Sequence, residues 1–414
     1  FFFKHKTAYE IMPSLVGSEM CIRDRSLIEH LEDEWRIWLK EDFRKMLVKS
    51  LSIKFPIKQK LAKRINEPSW LVSEVLNNKA LFRWGLVKKM CKLVGVPTSV
   101  LLDNITHISL QGIRGRTRFL KEIDITDEFV EWFGLWLGDG DHSNSRSCVG
   151  ISNNNVNVLK FHLKVLTQVL RIEKERIKVE IWSPENITID VLKEKWSKSL
   201  TIKKSQIGSI CFMKHARKDG ARLIFWSGVL FSLLRKIKPK LLLLVKNNVK
   251  LARAFLKGLF AAEGSCRRKG FEVRLCMGER NMIVFSQELL HKIGINTSKV
   301  RFNRWSREFT ISITGWSNIK KFHILVGFGH HTEKNDRLSK VIRRIKKLPL
   351  KERFRMITEF LEKNEWATTK DIAKFIKTSP SNVRLLLKKM LRKGIVVKDT
   401  SKKTFKFKLY IKSL

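Results

Sequence analysis

Acidic residues are scarce in this chain. Across 414 residues, 39 Asp and Glu stand against 84 Lys and Arg, which gives a formal charge of +45 and a pI near 10.3. The excess runs along the whole chain, so a solvated basic tail is not its source and a polyanionic partner is implied. Long apolar runs are missing too. Nothing approaches the ~20 residues of a transmembrane helix, and the run Leu241 to Leu244 is flanked by lysines. Cysteine is sparse and unpatterned. Cys21, Cys91, Cys148, Cys211, Cys266 and Cys276 form no C-x-x-C pair and no zinc-ligand spacing. They read as reduced thiols, mostly core filler. The start of the chain lacks the charge-then-apolar order of a secretory signal. These absences predict a cytoplasmic, nucleoid-associated protein with no membrane partner.

Aromatic residues are plentiful, with 26 Phe and 12 Trp in a chain that is 43% hydrophobic. That composition excludes a disordered basic linker and suits two or three domains with their own cores. Residues 1–25, "FFFKHKTAYEIMPSLVGSEMCIRDR", show no helical period and read as an artefactual leader. Residues 26–125 read as a helical, helix–turn–helix-like domain with a linker. In it Leu27 to Lys49 is expected as one helix with Trp35, Trp38, Phe43 and Leu47 on a face, and "NEPS" turns into a second short helix capped by Ser69. Residues 350–414 read as a winged helix. Ser379 caps its third helix, Pro380 follows at the first turn, and Gly394 ends it. Ser381, Asn382, Arg384 and Lys388 are expected to face outward from that helix as DNA contacts.

Between these flanks lies an internal repeat over residues 126–345, with repeat one at about 126–245 and repeat two at about 249–345. Each copy reads helix, strands, helix, strands, helix, and the copies lie 124 residues apart, the separation of Asp139 and Glu263. The helices "WFGLWLGDG" and "LKGLFAAEG" hold small residues four apart, Gly134 and Gly138 in one, Gly258 and Ala262 in the other. Interior glycine costs a helix about 1 kcal/mol relative to alanine. Small residues at that spacing let two helix backbones approach closely. If those faces pack together, Asp139 and Glu263 become neighbours at two helix C-termini, whose dipoles are also negative. Two carboxylates there repel unless a cation sits between them, and a hard divalent ion such as Mg²⁺ is the natural occupant.

On these two motifs the chain resembles the two-repeat LAGLIDADG homing endonucleases, from about Asp127 to Leu338, including "GFGHHTEKNDRL". The resemblance implies an α+β fold of two pseudo-symmetric αββαββα repeats, whose twisted antiparallel sheets form a basic saddle on double-stranded DNA. It implies site-specific, Mg²⁺-dependent phosphodiester hydrolysis by a monomer, with Asp139 and Glu263 as metal ligands and a lysine near each. Lys238 and Lys334 are the lysine candidates. Position six of the motifs is Leu137 or Ala261 where the family often has Asp, outside the metal site. Arg176, Lys178, Arg301, Arg304 and Arg307 lie on or beside expected strands and are the DNA-contact candidates. Asp141 reads as a turn residue, and His142, His330 and His331 as loop or phosphate-contact residues. Two other readings stand beside the nuclease: a non-catalytic DNA-binding regulator built on the same platform, and a maturase acting on intron RNA. Retention of both acids favours the nuclease.

Overall fold

The computed structural model describes residues 31–110, 115–120, 123–141, 147–184, 187–214, 216–267, 271–344, 350–399 and 406–410. They form an α+β chain of two compact units. One holds the residues up to Glu263 together with Phe328–Thr332; the other holds Gly264–Gly327 and the residues from Glu333 onward. The stretch read as a leader lies outside the described residues.

The first unit begins with a small sheet that the sequence does not announce. Its strands run Phe82–Arg83, Arg36–Leu39, Ile105–Ser109, Thr117–Arg118 in spatial order, all antiparallel, with Ile37 opposite Ile108. The expected helix from Leu27 to Lys49 is therefore wrong over its first half. Arg36–Leu39 is a strand, and the helix starts at Glu41 and runs to Lys54. Trp35 and Trp38 stand three apart, which mimics a helical face, but Ile37 alone is buried between half-exposed neighbours, the alternation of a strand. The residues read as all-helical thus form a mixed module. Its helices Lys58–Ile65 and Ser69–Leu76 do occur, joined by three residues, though Ser69 is the first helical residue and Pro68 precedes it.

Helix Asp127–Asp139 follows. The Thr126 side chain caps it by accepting a hydrogen bond from the Phe129 amide at 3.1 Å. The repeat-one sheet has the order Cys148–Asn153, Gly220–Trp226, Lys178–Ser183, Ile207–Phe212. Its last two strands are parallel, which corrects the all-antiparallel expectation. The cause is an inserted helix, Ile189–Leu200, which carries the chain back so that the next strand starts from the same end. The first strand of the expected repeat is reduced to one bridge between Gly140 and Ile151. Helix Gly228–Asn247, capped by Ser227, then leads into helix Val249–Glu263. Asn248 separates the two helices, its Oδ1 accepting from the amides of Lys250 and Leu251.

The second unit opens with the repeat-two sheet, ordered Arg301–Asn303, Glu308–Thr314, Glu272–Met277, Gly264–Arg267 and antiparallel throughout. With helices Arg280–Lys292 and Trp316–Leu325 this copy keeps the expected element order. Residues from Leu350 then form a winged helix: helices Leu350–Lys363, Thr369–Phe375 and Pro380–Arg392, and a sheet ordered Ala367–Thr368, Lys406–Leu409, Val396–Asp399. Its core gathers Ile357, Leu361, Ile372, Val383, Leu387, Met390 and Phe407. Local signals explain it. Thr368 and Asp371 close a capping box, the Ser379 hydroxyl accepts from the Asn382 amide, and Gly394 turns the chain at φ +65°.

Candidate functional site

The two motif helices, Asp127–Asp139 and Val249–Glu263, pack along each other inside the first unit. Gly134 and Gly258 on the shared face each face the opposite helix's main chain. A Cβ on Gly258 would strike the Glu131 carbonyl and stand 2.8 Å from the Leu135 amide nitrogen; one on Gly134 would strike the Phe255 carbonyl and stand 3.1 Å from the Leu259 amide nitrogen. At the C-terminal end a Cβ on Gly138 would meet the Ala262 methyl and lie 3.0 Å from Cγ of Glu263. The small residues are there because the backbones touch. Asp139 and Glu263 consequently end neighbouring helices, with the Glu263 arm running beside Gly138.

Asp139 has a partner that the sequence pattern does not reveal. The Asn153 side-chain amide donates to Asp139 Oδ2 at 2.7 Å. Asn153 is itself fixed, because its Oδ1 accepts from the Asn155 amide at 2.8 Å, and Asn155 caps helix Val156–Lys164 and donates to Thr332 Oγ1 at 3.0 Å. The asparagine run "NNN" at residues 153–155 was the available signal. Asp141 is committed elsewhere. Arg222 donates to its Oδ2 from Nε at 2.9 Å, and reaches Glu180 from the other side at 2.9 Å. Burial works against the Arg222 charge, yet the carboxylates of Asp141 and Glu180 raise its pKa. Asp141 thus serves the sheet's own arginine rather than a metal.

Behind the first motif helix, His162 is fully buried. Burial pushes its pKa down to about 3, so the ring is neutral and accepts at Nδ1 from the Trp132 indole at 2.8 Å. Glu131, only 7% exposed, is raised by burial against the pull of Lys257, which pairs with it at 3.2 Å. His330 stacks on Phe161 with ring centroids 4.0 Å apart, and His331 is buried. His330 is an exposed turn residue and His331 sits in the loop after it, so the loop reading holds for both, and burial argues against a phosphate contact only at His331; His142 lies outside the described residues.

The basic candidates divide. Arg176 sits in a short 3₁₀ turn ahead of the strand, half-buried, its guanidinium 5.1 Å from the Phe225 ring centroid. It stands beside the strand, as expected, packed over Phe225 of the neighbouring strand. Lys178 is exposed at the start of strand Lys178–Ser183. In the second unit Arg301, Arg304 and Arg307 are all exposed on one hairpin. They flank Trp305, which is 98% exposed, and Phe302, whose ring lies tilted against Phe309 with centroids 4.8 Å apart; neither aromatic stands out in the sequence. Ser381, Asn382, Arg384 and Lys388 are exposed along helix Pro380–Arg392. Lys238 is half-buried in helix Gly228–Asn247, and Lys334 is half-buried in the first turn of helix Thr332–Arg344, in the other unit. Among the described residues, no cluster of three or more His, Cys, Asp or Glu forms a metal cage, and no helix is long and apolar enough to cross a membrane.

Comparison with known proteins matches the second repeat and the tail. Residues 250–327 match the LAGLIDADG-like domain, and residues 354–406 match the FeoC like transcriptional regulator family. The chain thus resembles the LAGLIDADG proteins over its second repeat and winged-helix regulators over its tail. No curated protein matches. Among solved structures, a mesophilic variant of the homing endonuclease I-DmoI is 16% identical over 48% of this chain and 95% of that one, with a TM-score of 0.32. The complex of I-DmoI with DNA and Mn is 16% identical over 48% and 96%, at 0.28. Full-length DUF199/WhiA from Thermatoga maritima is 14% identical over 65% and 92%, at 0.33.

Proposed function

We propose that this chain is a site-specific, double-strand DNA endonuclease that hydrolyses phosphodiesters with a divalent ion held by Asp139 and Glu263. The observation that carries the reading is the close approach at Gly138, where the absence of a side chain lets the Glu263 arm lie beside Gly138, next in the chain to Asp139, at the end of two packed helices. Two carboxylates and two negative helix ends concentrate charge that a cation neutralises. The donor set fits a hard ion, because carboxylate oxygens suit Mg²⁺, which usually keeps waters and takes only one or two protein carboxylates. When bound, such an ion supplies water activation and charge neutralisation at a phosphate.

The protein residues do the positioning. Asn153 fixes the rotamer of Asp139 by holding Oδ2. The glycine approaches hold the two acids at one separation. Lys178 on the first sheet, and Arg301, Arg304 and Arg307 on the second, supply cations to duplex DNA and side chains to its base edges. Lys238 and Lys334 are the candidates for stabilising charge near the reacting phosphates.

The test is an in-vitro cleavage selection on a randomised duplex library in Mg²⁺, followed by Asp139→Asn and Glu263→Gln on the selected site. Both variants should lose double-strand cleavage and keep duplex affinity. Parental cutting by both would sink the assignment. The match of residues 354–406 to a transcriptional-regulator family favours a second reading, a DNA-binding regulator that does not cut. Sequence-specific binding without cleavage in Mg²⁺ or Mn²⁺ would select it.

A further inference from the structure

The N-terminal sheet and repeat one of the first unit close around a set of guanidinium groups with too few acids to balance them. Arg118 lies on the edge strand Thr117–Arg118, opposite His107 in register. Arg171 and Arg176 come from the turn after helix Val156–Lys164 and its π-turn. With Glu173 and Phe225 these residues line one narrow pocket of about 10 Å³, room for a single water-sized group. Phe225 forms its floor, and Arg176 stacks over that ring at 5.1 Å, which fixes its guanidinium. Arg116 bears on the same groups electrostatically.

Among the described residues, Glu173 is the one acid lining this pocket. Burial lowers the Arg176 pKa, Glu173 opposes that, and Arg116 adds to it. Burial, then Arg116, lowers the His107 pKa. Three arginines therefore line the pocket beside one glutamate, and Arg116 adds positive charge from nearby. Among the described residues none of the four closes an ion pair. Like charges gathered this closely repel unless an anion joins them.

We propose that this pocket is a phosphate clamp that holds one backbone phosphodiester of duplex DNA where the N-terminal sheet meets repeat one, an inference that rests on the DNA-binding reading above. Guanidinium forks match phosphate oxygens two at a time, and a ring-stacked arginine loses little further freedom on binding. The size of the pocket selects the class of anion. It admits one non-bridging oxygen and excludes a base or a whole phosphate, so the phosphorus stays at the mouth with its ester oxygens outside. A backbone phosphate has that geometry. His107 adds a ring nitrogen for hydrogen bonding.

The test uses the full chain with Arg118→Gln and Arg171→Gln combined, since both side chains are exposed and neither belongs to the cleavage machinery. Duplex affinity is titrated between about 50 and 200 mM salt, and inorganic phosphate is titrated separately by calorimetry. The double variant should bind every duplex sequence about tenfold more weakly, with a salt slope shallower by about one for each phosphate it no longer neutralises. The corresponding lysine variants should recover the slope. Unchanged affinity and slope, beside a wild-type chain that binds duplex steeply, would overturn the clamp alone. So would tight binding of inorganic phosphate that the variant loses while its duplex binding matches wild type, because the site then serves a free anion. A wild-type chain that binds no duplex at any salt overturns both readings.

Discussion

Asn153 and Asp139 form a pair in which one side chain sets the other's chemistry. A carboxylate at a helix end has two rotamer-related oxygens, and the amide of Asn153 claims one of them. Replacing it by alanine should leave the fold and DNA affinity intact, because Asn153 is only half-buried on a strand edge. Cleavage by Asn153→Ala should need more Mg²⁺ than wild type and recover as Mg²⁺ is raised. A metal titration of the cleavage rate decides it; an unchanged midpoint would assign Asn153 to packing alone. His162 makes a second residue-scale prediction, about acid. Its folded pKa, about 3, lies below its ordinary 6.5 because it is buried neutral. The unfolded chain therefore takes up a proton first. The stabilisation from His162 is complete above pH 6.5 and is lost as pH falls toward 3, at up to ~1.4 kcal/mol per pH unit. Melting curves of His162→Gln should show a lower midpoint at pH 7 and a flatter fall on acidification than wild type.

At the scale of elements, the helix pair is the part most sensitive to a single methyl group. Gly258→Ala places a carbon against the main chain of the facing helix, which cannot move as a flexible side chain can. The expected loss is about 1–3 kcal/mol, with a fall in cleavage as the acids separate. Gly208→Ala is the control, since its strand position has open space around it and should melt within about 0.5 kcal/mol of wild type. Equal melting of the two variants would mean that the helices part without cost. The repeat-one sheet shows the opposite tolerance. It accepts the inserted helix Ile189–Leu200 and a parallel strand at its edge, while its strands Cys148–Asn153 and Gly220–Trp226 keep their antiparallel register. Insertion at an edge leaves the strand that carries Asn153 undisturbed.

For the molecule as a whole, charge is the dominant property. A formal charge of +45 implies that duplex binding weakens steeply with salt as counterions are released. The winged helix has a core of its own, drawn entirely from residues 357–407. Ending the chain at residue 345 should therefore lower duplex affinity and flatten the salt slope, while cleavage at saturating protein persists. Gel shifts at several salt concentrations measure the first effect, and single-turnover cleavage measures the second. Equal slopes for the two lengths would remove the winged helix from the DNA interface.

Wherever a signal fits inside a few turns of chain, the sequence alone determined the outcome. The motif helices follow from their apolar period, their glycine spacing and the Thr126 cap. The winged helix follows from Thr368, Asp371, Ser379, Pro380 and Gly394, each acting on residues three or four away. The packing of the two motif helices on each other was legible too, because the repeat wrote the same small-residue face twice. Only the tertiary structure decided the rest. Trp35 and Trp38 spell a helix until Ile37 finds Ile108, far along the chain, and becomes a strand. Strand Ile207–Phe212 reads identically whether it pairs parallel or antiparallel; the crossover helix settles its direction. Asp139 and Asn153, or His107, Arg176 and Phe225, carry no mutual mark along the chain. Hydrogen-bonding and stacking partners of that kind are chosen by which surfaces the closed fold brings within a few ångströms, and local periodicity holds no record of that choice.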